Sequence, residues 1–160
     1  NVNVSSNVAP GQIDYGVVYV YERVRKDKPR MSIDMLLADS RIDPGRVIID
    51  HCEEHTIRLA LDRGFWAGLT LYPTTKCTPE RAVDMIELYG PDRMLVNTSG
   101  DWGPSRPDNV PNFILAMRRR GHADSLIRRV VYENPLEFFR QSKNFGFIPP
   151  DVAALEGATA

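Results

Sequence analysis

Apolar positions gather in four short runs, each broken off at once by polar or charged residues. Residues 17–21 (VVYVY) are β-branched and aromatic, as a strand prefers. Residues 46–50 hold the consecutive β-branched Val47, Ile48 and Ile49, which suits a strand covered on both faces. Residues 65–71 (FWAGLTL) and 94–97 complete the set. Between the runs the spacing turns helical. Ile33, Leu36 and Leu37 predict a short amphipathic helix over 31–38, after a charged loop over 23–30. Ile57, Leu59, Ala60 and Leu61 predict a helix over 54–63 with Gly64 as its stop. Pro79 after Thr78 marks a helix start, with Ala82, Val83, Met85, Ile86 and Tyr89 following until Gly90. Two further helices are expected over 110–120 and 124–131. A last short one is expected over 135–141, with Asn134 as its cap. Strand alternating with helix is the signature of a parallel α/β sheet with right-handed crossovers.

The apolar run at 47–49 ends on Asp50, His51, Cys52, Glu53, Glu54 and His55. Asp50, His51, Glu53, Glu54 and His55 therefore put five ionisable groups within six positions at the carboxyl end of a strand, where α/β folds place their ligands. The strand at 94–97 runs into a long loop, 98–109 (TSGDWGPSRPDN), which presents Asp101. A hydrolytic metal site needs neutral imidazole and carboxylate donors converging from separate strands. His51 and Asp101 are placed for that, with Asp101 able to act as ligand and general base. Each residue also has an ordinary structural use. His51 could cap or hydrogen-bond, Asp101 could close an Asx turn, and Glu53 and Glu54 could be first-turn acids. His55, four residues beyond His51, would share its face only if both lay on one helix. Lys76 could meet an anionic group at the same end of the sheet or simply be solvated.

Composition excludes several classes. With 42% hydrophobic and 26% charged residues and a formal net charge of -1, the chain offers no global basic field for nucleic acid. No apolar stretch approaches the roughly 18 residues of a membrane span, so no membrane partner is expected. Cys52 and Cys77 form no close-spaced pair, which suits a reduced, cytoplasmic setting with both as small buried hydrophobes. A division follows into an irregular tail or truncated edge at 1–16, a domain at 17–147 and a loose tail at 148–160.

Four segments taken in order, Ile49-Asp50-His51, residues 64–73 (GFWAGLTLYP) with Lys76, residues 99–103 (SGDWG) and Tyr132-Glu133-Asn134-Pro135, closely resemble the TatD-related metal-dependent hydrolases of the amidohydrolase superfamily. The resemblance runs from about residue 27 to 145. It implies an α/β fold that is the C-terminal half of a (β/α)8 TIM-type barrel, because 160 residues are too few for a closed barrel of about 250. It further implies one or two divalent ions, zinc, manganese or similar, held by His51 and Asp101. Asp101 is then the catalytic carboxylate, and Glu54, His55 and Lys76 are site neighbours. Metal-activated water would attack a phosphoester, amide or ester, in a small-molecule or phosphoester substrate; nucleic acid as substrate rests on the family alone. The pattern departs where such enzymes carry further histidines: residues 20–24 read Val-Tyr-Glu-Arg-Val, and no HxH motif is present. Two of the expected ligands without the others predict weak metal binding and poor turnover. The alternative is a non-catalytic barrel-derived assembly or partner-binding module. In either case a half-barrel is expected to expose a sheet edge and one side of its apolar core, and hence to self-associate.

Overall fold

A computed structural model of the chain describes residues 18–21, 29–72, 76–99 and 106–147. Strands and helices alternate as β1 (Val18–Tyr21), α1 (Pro29–Ala38), β2 (Val47–Asp50), α2 (Ile57–Asp62), β3 (Trp66–Leu71), α3 (Pro79–Tyr89), β4 (Met94–Thr98) and α4 (Asn109–Arg119). Every pairing is parallel and the sheet order is β1-β2-β3-β4. Each crossover steps in the same direction, so helices of right-handed units collect on one face of the sheet.

The strands divide their side chains between two faces, as a period of two requires. Val47, Ile49, Ala67, Leu69, Leu71, Met94 and Val96 pack in one cluster with Ile33, Ala60, Val83, Ile86, Phe113 and Met117 of the helices. Ile48, Trp66 and Leu95 point the other way and pack with Phe138. Phe138 lies on α6 (Asn134–Phe139), which follows α5 (Asp124–Arg128) and a π-helical turn, Arg129–Glu133. Its complete burial favours folding by about 2–3 kcal/mol. The ring of Trp66 lies 5.4 Å from that of Phe138, and Trp66 Nε1 donates to Gly45 O at 2.8 Å. Beyond α6, Gln141 Nε2 donates to the same carbonyl at 3.0 Å, and the Arg46 guanidinium donates to Gln141 O at 2.7 Å. The chain thus folds back over the amino-terminal half of its own inner face.

The sheet is open, as expected of a half-length chain: the described residues provide four strands in consecutive order, and a barrel is not shown. Several other expectations need correction. The inner apolar side is not bare at its amino end, because α6 covers it. Helix α1 takes in Pro29 and Arg30, assigned above to a loop. Helix α2 starts at Ile57 rather than at residue 54: Thr56 Oγ1 accepts from Glu53 N at 2.9 Å and donates to Glu53 O at 3.1 Å, holding a turn ahead of the helix. Asn134 is not a cap. It sits inside a continuous helical path, and its Nδ2 donates to Pro91 O and Met94 O, both at 2.7 Å, pinning the entry to β4. The α3 reading holds: Thr78 Oγ1 accepts from Arg81 N at 3.3 Å, and Gly90 ends the helix with φ 82°. Among the described residues no helix is long and apolar enough to cross a membrane.

Candidate functional site

The inner face changes from apolar to polar along the strands. Trp66, Gly68 and Thr70 succeed one another on β3, with Ile48 and Asp50 on β2 and Leu95 and Asn97 on β4. Thr70 and Asn97 are register partners across β3 and β4. At the carboxyl end this brings three polar side chains together around Asp50 Oδ1, which accepts from Thr70 Oγ1 at 2.9 Å and from Asn97 Nδ2 at 3.2 Å. The position opposite Asp50 must be small. A Cβ on Gly68 would lie 2.4 Å from Asp50 Oδ1 and 3.2 Å from its Cα, so glycine leaves the room that the carboxylate fills.

His51 follows immediately, and its backbone is left-handed, with φ 58°. Non-glycine residues seldom adopt this conformation, although histidine does so more readily than most. The turn has a structural result. In an uninterrupted strand the side chains of residues 50 and 51 would point to opposite faces. Here the imidazole comes back over β3, with Nδ1 2.6 Å from Thr70 Oγ1 and 3.5 Å from Asp50 Oδ2. Cys52 N then donates to Gly68 O at 2.8 Å, extending the contact between β2 and β3 past the turn.

The other expected residues are distributed around this cluster. Asp101 lies outside the described residues, and so does Trp102. Lys76 is at the carboxyl end of the sheet, where its Nζ donates to Ser99 Oγ at 3.1 Å and lies 5.7 Å from the centre of the Tyr72 ring. Glu54 is engaged by Arg81 of α3, whose Nε donates to it at 2.7 Å. That bond holds the Glu54 carboxyl below its ordinary range and raises the Arg81 guanidinium above its own. Arg81 also donates to Lys76 O at 2.6 Å, so this ion pair braces the loop that carries Lys76. His55 is half exposed, with its Nδ1 3.8 Å from Glu53. It lies in the turn before α2, not on one helix face with His51. Cys52 and Cys77 are buried and free of disulfides, and burial pushes the Cys77 thiol up to about 12, so it stays protonated at neutral pH.

Among the described residues no three His, Cys, Asp or Glu side chains gather closely enough to hold a metal. What is present fits one ligand of such a set: an imidazole at a strand's carboxyl end, its Nδ1 facing oxygen partners as metal-binding histidines commonly do. Reading the sequence alone missed Thr70, Asn97 and Gly68. Their signal was the polar, small and polar interruption of otherwise apolar strands, at alternate positions of one face.

No protein-family model matches the chain. It is 31% identical over 131 residues to an uncharacterized metal-dependent hydrolase of Methanocaldococcus jannaschii. The similarity covers 79% of this chain and 51% of the relative. The chain therefore spans about half the length of the curated protein it matches.

Proposed function

We propose that the chain carries part of the active site of a metal-dependent hydrolase of the TatD-like type, with a barrel-derived sheet as its scaffold. The observation that carries this reading is the His51 imidazole, turned by a left-handed backbone onto the inner face and held at Nδ1. Consecutive parallel order with helices α1 to α4 on one face also supports a barrel segment, since a doubly wound sheet reverses its strand order. His51 and Asp101 are the residues that would hold a divalent ion, zinc, manganese or similar. When bound, the ion would polarise a phosphoester, amide or ester and make water acidic enough to react near neutral pH. Asp101 would take the proton from the attacking water, and Lys76, steadied on Ser99, would face an anionic part of the substrate. The remaining ligands of a full site would come from strands beyond these four. The unpaired outer edges of such a scaffold also make self-association part of the proposal.

A second reading, the non-catalytic assembly or partner-binding module, draws support from residues 20–24, which hold no histidine. Metal titration of the purified chain, alongside His51→Ala and Asp101→Ala, separates the two. The enzyme reading expects a divalent ion bound at one site, with affinity falling by about tenfold or more in each variant. Binding indifferent to both substitutions overturns it and leaves the module.

A further inference from the structure

Asp50, Thr70 and His51 form a directed chain of hydrogen bonds whose proton positions follow from donor arithmetic. A carboxylate only accepts, and a threonine hydroxyl has one proton to give. Thr70 gives that proton to Asp50 Oδ1 at 2.9 Å. Its oxygen lies 2.6 Å from His51 Nδ1 and has no second proton, so this contact is a bond only if Nδ1 carries the hydrogen. The direct approach of Asp50 Oδ2 to Nδ1, at 3.5 Å, is too long for a good hydrogen bond but favours a proton on the same nitrogen. Asn97 Nδ2, at 3.2 Å from Oδ1, keeps the carboxylate facing Thr70.

We propose that Asp50 and Thr70 are positioning residues that lock His51 as the Nδ1–H tautomer, leaving Nε2 as the nitrogen with the lone pair. The tautomer is a property of this chain without any metal. Its use, presenting Nε2 to a divalent ion, rests on the reading given above. The arrangement also accounts for two costly local features together. The left-handed backbone at His51 brings the ring to Thr70, and the missing side chain at Gly68 admits the carboxylate that takes the hydroxyl proton.

The test is long-range proton–nitrogen correlation NMR of the 15N-labelled, chelator-treated chain at mildly alkaline pH, with the His51 ring assigned by loss of its signals in His51→Gln. The expected result is a protonated-type shift at Nδ1 and an unprotonated-type shift at Nε2. Thr70→Ser keeps the hydroxyl and should keep the pattern. Asp50→Leu frees the Thr70 proton to point at Nδ1 and should move the ring toward Nε2–H. A wild-type ring in the Nε2–H form overturns the proposal, as does a folded Asp50→Leu variant with an unchanged tautomer. The wild-type measurement decides even if Asp50→Leu does not fold. Zinc titration of the same samples addresses the functional reading separately. Asp50→Leu should bind zinc about 10–100-fold more weakly if Nε2 is a ligand. A changed tautomer with unchanged zinc affinity retains the relay and removes His51 from the metal site.

Discussion

Gly68→Ala should be destabilising in a place where glycine is normally the poorer residue. Within a strand, replacing glycine by alanine ordinarily favours folding by about 0.5–1 kcal/mol. At this position the new methyl would stand 2.4 Å from Asp50 Oδ1, about 1 Å inside ordinary van der Waals contact at 3.4 Å, and 3.2 Å from the Asp50 Cα. The carboxylate can swing away, but the backbone of β2 cannot move without disturbing its pairing with β3. A displacement of about 1 Å takes Oδ1 out of reach of Thr70 and Asn97. Overpacking costs about 1–3 kcal/mol, and bonds from neutral donors to this mostly buried carboxylate contribute at the low end of about 1.5–3 kcal/mol. Allowing for the gain in strand propensity, the net loss is about 2–4 kcal/mol. With a urea slope of about 1–2 kcal/mol per molar, the midpoint should fall by roughly 1–4 M. Gly90→Ala is the control. Its φ of 82° makes alanine strained while nothing stands within 4 Å, so it should cost about 1 kcal/mol and leave the His51 ring signals unchanged. An unaltered or raised midpoint in Gly68→Ala, with the His51 tautomer intact, would refute the close-packed relay.

Two further outcomes test the scaffold. Asn134→Ala removes two 2.7 Å bonds from a fully buried side chain and should lower stability by about 2–3 kcal/mol in urea unfolding; a loss below about 0.5 kcal/mol would show that the entry to β4 is held by other contacts. For Glu54, pairing with Arg81 depresses the folded-state pKa, so its stabilisation is full above the ordinary value near 4.5 and is lost as pH falls through the lowered one. Because the pair is half exposed, Glu54→Gln should cost only a few tenths of a kcal/mol at pH 7, and the difference from wild type should shrink on acidification; a gap that widens in acid contradicts the pairing.

The sequence by itself determined the alternation of strand and helix, the parallel sheet and the start and stop of α3. Those features are local: β-branched runs, helical spacing, a threonine cap and a glycine stop act within a few residues of where they are written. It also determined that the run through Ile49 ends on chemistry, because apolar and ionisable residues change places there in a single step. Only the tertiary structure decided which of those groups meet. Asp50 and His51 are neighbours in sequence, and strand alternation would separate their side chains; the left-handed turn at His51, visible only in three dimensions, brings the ring back over β3. Thr70 and Asn97 join them through register across three strands, a relation fixed by pairing and hidden from any window of sequence. Glu54, by contrast, is engaged by Arg81, 27 residues away, a choice that depends on how the turn before α2 meets α3. Asn134 shows the same limit for the scaffold. Next to a proline it reads as a cap, yet packing carried the helix straight through it and turned its amide toward carbonyls 43 and 40 residues distant, because a carbonyl packed away from water, as at the buried Met94, needs a donor.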